Sequence, residues 1–464
     1  MESTRASTEF YSPITLPIVR RAVFSPVPLA DGQRTCWEYM ARFGSRMSHR
    51  MRATAIRVLG PLDVGALDTS VQLLIRRHES LRTQLTFEGP APSQQTILEC
   101  VPVPLETVSL EDVTKANAEE AAKDSCHQFL NRPIDLSTDQ LFGAMLLKLS
   151  PSEHVLVLSL DHMVGDGISC GIVSRELWSI YDCIVQNLPP SLADLPIQFP
   201  DYAVWQNQTL GDRRALHEPY WRARARNAPT MAPPLLDQTD DSHQQESAVL
   251  HVPLGNSISS KLRALAHREK TLLPLVVLAA HVLVMSKWCH EPDFVFPFVS
   301  HGRFRRAQLQ NMVGCLSQLL YCRIQISASE SLLDLLKRTH AEFIAATEHQ
   351  DFAPPHPPDS EVHLAFNWGG LVVYSARWSV QQQRKASSQL RIQPFRLETD
   401  KGIGFIAAYS DTPAGIVATL RYAPARVSHI AVAKLAQNLR LVLGAYGADP
   451  GSQVGSLPFE EPAE

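Results

Sequence analysis

Two apolar runs, "AMLLKLS" and "HVLVLSL", are set apart only by Pro151-Ser152-Glu153, and they constrain this chain more than any other feature. Near-continuous apolar runs of strand length, bounded by a turn signal, read as strands buried on both faces. The short break between them makes the pair a hairpin. The second run leads into "DHMVGDG" and then "ISCGIVSRELWSIYDCIV", where Ile172, Leu177, Ile180 and Ile184 have helical spacing. A polar, glycine-bearing turn therefore sits at the end of a rigid buried strand, where positioned chemistry is expected.

The rest of the chain alternates between the two periods. "ATAIRVLG" is β-branched and alternating, a strand; Leu67, Val71, Leu74 and Ile75 mark one face of a helix with Asp63 as its N-cap. Leu188 to Pro200 is a proline-rich connector, followed by a polar helical region with Trp205 and Trp221. From Val249 a second regular region begins. "SSKLRALAHREK" and "TLLPLVVLAAHVLVMSKW" read as helices, "DFVFPFVSHGR" as strand and turn, and "SLLDLLKRTHAEFIAATEHQ" as a helix. "EVHLAFNWGG", "GIGFIAAYS" and "GIVATLRYA" read as strands, and "HIAVAKLAQNLRLVLGAYG" as the last helix. The expected organisation of the 464 residues is a leader (1–23), an N-terminal lobe (24–185), a connector (186–225) and a C-terminal lobe (226–464). The fold class is α/β, of the α+β type.

At 45% hydrophobic and 19% charged residues, such lobes can bury sizeable cores. A net charge of −4 argues against a general nucleic-acid surface. No signal-type apolar stretch begins the chain, and the run Leu272 to Met285 is too short to span a bilayer and contains His281. A soluble cytoplasmic protein with no membrane partner is expected. The eight cysteines form no CxxC pair, and no Cys/His spacing resembles a zinc site. They read as free, mostly buried thiols, with no metal expected.

Three patterns overlap between Leu158 and Gly171. Gly167-Ile168-Ser169-Cys170-Gly171 matches G-x-S-x-G, but a nucleophile elbow needs its Ser directly between strand and helix. Here "DHMVGDG" intervenes, so Ser169 falls in the first helical turn, suited to capping backbone N–H groups. Asp161-x4-Asp166-x2-Ser169 matches a heterocyclisation pattern. His162-x3-Asp166-Gly167 matches an acyltransferase pattern. Strand side chains alternate, so Asp161 and His162 point in opposite directions. A histidine with an unperturbed pKa of about 6.5 is partly neutral at cellular pH and serves as a base. A buried Asp166 needs a cationic partner, and its expected job is to hold the turn. A hydrogen-bonded core histidine and a turn aspartate would leave the same local pattern.

Longer motifs separate these readings. "PLADGQRTCW" looks like "PLSxxQxRLW", "RHESLRTQL" like "RHExLRTxF", and "LPIQFPDYAVWQNQ" with "YWRAR" like "LPIQYxDYAxWQ" with "YWxxxL". "HGRFRRAQLQNMVGCLSQLLYCRIQI" is similar to "xGRxxxxxxxxxGxFxNxLPLRxxl", and "EHQDFA" and "FNWGG" also fit. On these motifs, in this order, the chain resembles the condensation-domain family of nonribosomal peptide synthetases over nearly everything after the leader. "DHMVGDG" stands where that family carries HHxxxDG, with Asp161 in place of the first His.

The resemblance implies two chloramphenicol acetyltransferase-like lobes in a V-shaped pseudo-dimer with a central tunnel. It implies His162 as the catalytic residue facing the tunnel. Asp166, Gly167 and Asp161 would be structural, with Asp166 salt-bridged to Arg303, or failing that to Arg82. Asn367, Trp368 and Gly369 would lie near the tunnel and the lobe contact. No cofactor would be bound; the acyl group would arrive on the phosphopantetheine arm of an acyl or peptidyl carrier protein acting in trans. The acceptor would be an amine or hydroxyl, free or carrier-bound, and the enzyme a freestanding monomer. Arg303, Arg305 and Arg306, or the leader, would be candidates for docking an acidic carrier helix. Two alternatives stay open: a heterocyclising member, and a non-catalytic platform that recruits carrier proteins.

Overall fold

A computed structural model describes residues 17–43, 51–99, 102–229, 248–303, 306–352, 366–368, 390–395, 397, 405–424 and 427–460. The first half contributes β1 (Val27–Pro28), α1 (Asp31–Phe43), β2 (Met51–Leu59), α2 (Val64–Arg77), β3 (Thr83–Phe87), β4 (Pro92–Ile97), β5 (Leu105–Ser109) and α3 (Lys115–Leu130). It continues through β6 (Phe142–Ser150), β7 (Glu153–Asp161) and α4 (Gly167–Val185). The expected connector forms α5 (Phe199–Gln208) and α6 (Leu210–Ala225). The second half holds β8 (Ala248–Pro253), α7 (Gly255–Arg268), α8 (Leu273–Cys289), β9 (Asp293–Ser300), β10 (Gln318–Gln325) and α9 (Leu332–Glu348). It ends with β11 (Phe366–Trp368), β12 (Arg391–Pro394), β13 (Phe405–Thr412), β14 (Gly415–Tyr422) and α10 (His429–Ala448).

The strand pair β6 and β7 is the antiparallel hairpin the apolar runs predict, with Leu146 opposite Leu156. Its continuous apolar character has a simple cause: both faces are covered. Leu156, Leu158 and Leu160 pack with Leu67, Val71 and Leu74 of α2 and Leu177 and Trp178 of α4. Val155 and Val157 turn the other way, onto Cys126 and Phe129 of α3. Each such buried side chain contributes roughly 1.5–3 kcal/mol, so the end of β7 is a rigid mount. Helix α2 starts where expected, with Asp63 accepting from the Ala66 N–H.

The second half is built on a six-stranded sheet of order β10-β9-β11-β13-β14-β8. Helix α8 shows no apolar stripe because it is buried all round, from Leu275 through Met285, His281 included. No single helix among the described residues is long and apolar enough to cross a membrane.

Two boundaries differ from the sequence expectation. Strand β12, assigned to the C-terminal lobe (226–464), instead completes the five-stranded sheet of the first half, order β12-β2-β7-β6-β5. It pairs antiparallel with β2, Ile392 opposite Val58. Ile392 and Phe395 are buried there, so the added strand covers an edge that would otherwise be open. The described end of the 1–23 leader is also part of the fold. Ile18 is buried in a cluster with Phe199 and Tyr202 of α5, and the Arg21 guanidinium lies 2.7 Å from Asp201 and 2.9 Å from Glu79.

Candidate functional site at the junction of the two halves

The turn that follows β7 is fixed from within. Asp161 is sealed, and its Oδ1 accepts the Met163 N–H at 2.9 Å. Its carbonyl accepts from Val164 and Gly165. The aspartate in place of the family's first His thus holds a local Asx-type turn. Gly165 packs against Leu160, and a Cβ there would come within 2.6 Å of the Leu160 side chain. His162, the next residue along, keeps partial exposure. Strand β7 ends at Asp161, so the expected alternation of faces does not extend to His162: Asp161 is inside, and His162, in the turn, is partly exposed.

Asp166 is the N-cap of α4, with Gly167 as the first helical residue. Its carboxylate is wholly buried and accepts seven hydrogen bonds. Oδ1 takes the Ser169 N–H at 2.9 Å, the Ser169 hydroxyl at 2.8 Å and Arg303 Nη2 at 3.0 Å. Oδ2 takes Arg303 Nη1 at 2.7 Å, the Leu316 N–H at 3.3 Å, and the Ser317 N–H and hydroxyl at 3.0 Å each. Arg303, itself 2% exposed, also donates to the carbonyls of His301 and Met312 at 2.9 Å. Burial alone would raise the carboxyl, but the Arg303 guanidinium and the bonds from Ser169 outweigh it and hold Asp166 at about 2. Burial, with Arg303 beside it, lowers His301 to about 4.

The pair therefore ties the first half to the loop between β9 and β10. Gly302 in that loop has φ +72°, and a Cβ on it would meet the Leu316 carbonyl oxygen at 2.2 Å. Gly314 packs so closely on Phe199 that a Cβ would fall 2.3 Å from its ring. Arg82, the fallback partner for Asp166, is engaged with the Leu98 carbonyl and with Glu79 instead.

Ser169 is not exposed and stands in the first turn of α4 rather than on an elbow. Nor does its hydroxyl cap the helix, as its position suggested; Asp166 does that. The hydroxyl crosses the junction, accepting from the Gly314 N–H at 3.0 Å and lying 3.1 Å from the Gly314 carbonyl. All three residues of the heterocyclisation pattern are thus engaged in holding backbone or Arg303.

Arg303 is also removed from any docking patch by this burial. Arg306 lies over the Trp205 ring at 4.4 Å, with Asp351 3.8 Å away, and Arg305 is outside the described residues. Asn367 and Trp368 are on β11, opposite Ala408 and Tyr409 of β13. Trp368 packs on the core of the second half, and Gly369 is outside the described residues.

One feature escaped the sequence. Cys315 Sγ is 3.9 Å from His162 Nδ1, and Cys36 completes a group whose ligand atoms all lie within 4.8 Å of one another. The three residues are too far apart in the chain to form any spacing motif.

Comparisons with known proteins show the family and the fold. A family profile described as condensation domain matches residues 25–353. A linear gramicidin synthase polypeptide of Brevibacillus parabrevis is 28% identical over 454 residues, 96% of this chain and 6% of its own. The chain thus spans a small part of the length of such relatives. The crystal structure of the X-domain from teicoplanin biosynthesis superposes with TM-score 0.78 at 22% identity, covering 96% of this chain and all of that one. The first condensation domain of the calcium-dependent antibiotic synthetase, in complex with a substrate analogue, gives 0.73 at 15% identity, over 94% and 99% of the two chains. The fold is that of the condensation domains, and the chain belongs to the condensation-domain family of nonribosomal peptide synthetases.

Proposed function

We propose that the protein transfers an acyl group from a carrier-protein thioester to an amine or hydroxyl, forming an amide or ester. The observation that carries this reading is the contrast within one turn. Asp161, Asp166 and Ser169 are sealed and engaged, while His162, on the same rigid mount, retains access to solvent. In this reading a passage between the halves admits the phosphopantetheine arm from one side and the acceptor from the other. The acceptor attacks the thioester carbonyl carbon, the C–S bond breaks, and the acceptor's proton passes through His162 to the departing thiolate. Holding both reactants together removes most of the encounter entropy, and the base contributes about 10²–10⁴ in rate. No covalent acyl-enzyme and no bound cofactor are required.

The Asp166–Arg303 pair is the positioning device: it fixes the start of α4 against the loop that carries Cys315, and so fixes what surrounds His162. Release of a finished chain by a small free acceptor fits this chemistry. The test is intact-protein mass spectrometry of an acylated carrier with and without the protein, against a panel of amines and alcohols. Loss of the acyl mass with one acceptor class supports transfer and names the class. Carrier binding without turnover on any donor replaces transfer by recruitment.

A further inference from the structure

We propose that Cys36, His162 and Cys315 form a Cys2His site for a thiophilic divalent metal ion such as zinc. Their ligand atoms lie within 4.8 Å of one another, and Cys315 Sγ is already 3.9 Å from His162 Nδ1. Zinc–sulfur bonds of about 2.3 Å and zinc–nitrogen bonds of about 2.0 Å in tetrahedral geometry put ligands about 3.5–3.8 Å apart. Small side-chain rotations close that gap. Three protein ligands leave a fourth position for water or another small ligand, and the partial exposure of Cys36 and His162 gives the ion access.

The ligands stand on three supports that meet closely. Gly32, one turn before Cys36 on α1, lies against the Cys315 backbone; a Cβ there would be 2.7 Å from the Cys315 carbonyl oxygen. Glycine is what lets α1 come near enough for Cys36 to face Cys315. Gln33 ties the same helix to the residue after His162, donating to the Met163 carbonyl at 2.8 Å. The start of α1 is held by Gln206, which accepts the Asp31 N–H at 2.8 Å, and by Arg213, 3.1 Å from the Asp31 carboxylate. The Cys315 loop is pinned by the bonds from Leu316 and Ser317 to Asp166. Ordering such a group costs little, because its supports are ordered already. Cys36 also stands where the family's opening motif carries Leu, so the thiol is a feature of this chain rather than of the motif.

Binding of the ion does not depend on the acyl-transfer reading. Its consequence does: an imidazole whose lone pair is given to a metal cannot accept the acceptor's proton, so the metal switches transfer off. The experiment uses the full chain, stripped with chelator and kept reduced. Cobalt(II) titration is expected to give a thiolate-to-metal charge-transfer band that saturates at one ion per chain and is displaced by zinc. Cys36→Ser and Cys315→Ser should each lose the band and weaken zinc binding at least about 100-fold, more than loss of an outer-shell partner does. Cys183→Ser, on α4 away from the cluster, should retain both. A band with unimpaired acyl transfer in the zinc-loaded protein would leave the site standing and remove His162 as the base. Absence of the band in the wild-type chain, or its survival unchanged in Cys36→Ser and Cys315→Ser, overturns the proposal.

Discussion

Replacing Asp166 by Asn changes one atom and, on this structure, breaks the joint between the two halves. The carboxylate accepts on both oxygens, four of its seven bonds arriving at Oδ2. Whichever way the Asn amide is turned, its NH2 group faces N–H donors at about 3 Å. The Arg303 guanidinium, 2% exposed, loses its counter-charge. Two lines bound the cost. The carboxyl sits at about 2 in the fold against an ordinary 3.8, which corresponds to about 2 kcal/mol of stability at neutral pH. The sign follows from the depressed folded value: the contribution is complete above the unfolded pKa near 4 and is lost as pH falls through 2. Substitution costs more than protonation, because it also misplaces a donor and leaves a buried cation, so about 3–5 kcal/mol is expected. Against a typical total of about 5–15 kcal/mol this is large. Urea denaturation followed by fluorescence, with soluble yield, reads it. Removing both charges, Asp166→Leu with Arg303→Met, should cost less than the sum of the single changes, a coupling expected for direct contact. A wild-type midpoint for Asp166→Asn, or additive costs in the double variant, would refute the clamp.

Three other outcomes follow from particular contacts. Burial holds His281 at about 3, and its Nδ1 is 2.6 Å from the Tyr409 hydroxyl. The unfolded ring binds a proton at about 6.5 and the folded ring does not, so stability falls as pH drops below 6.5, by about 2 kcal/mol at pH 5. His281→Leu with Tyr409→Phe should flatten the pH dependence of the urea midpoint by that amount; an unchanged slope counts against it. Gly314→Ala would put a Cβ 2.3 Å from Phe199, and about 1–3 kcal/mol of destabilisation is expected from overpacking; an unchanged thermal melt would show that the loop yields freely. Arg82→Ala, which leaves the Asp166 clamp intact, should not change acyl transfer with soluble carrier donor, whereas Arg303→Ala should lower it together with stability.

The hairpin was legible because burial on both faces leaves an unbroken apolar run, and α2 and α10 because their stripes and ends follow helical spacing. Strand β12 was not: "RIQP" is four residues with Ile392 as its one strong apolar anchor, and its partner β2 is more than three hundred residues earlier in the chain. Arg303 opposite Asp166 came from the family motifs, since no local pattern links residues 137 positions apart. The same motif makes physical sense afterwards. One stretch supplies Arg303 and the amides of Leu316 and Ser317, all to one carboxylate. The approach of Cys36 and Cys315 to His162 left no trace in the sequence, because spacing reports a side-chain group only when its members are close in the chain. Arg21 gave no signal either, as its partners Glu79 and Asp201 lie on distant elements.

The claim that His162 is the working base is met most directly by single-turnover acyl transfer, comparing the wild-type chain with His162→Ala on one carrier-bound donor, followed by intact-protein mass spectrometry. With a hydroxyl acceptor the variant should be about 10²–10⁴ slower, and with an amine acceptor, already largely unprotonated at mildly basic pH, the loss should be smaller. A His162→Ala protein that transfers to a hydroxyl at the wild-type rate would contradict the account.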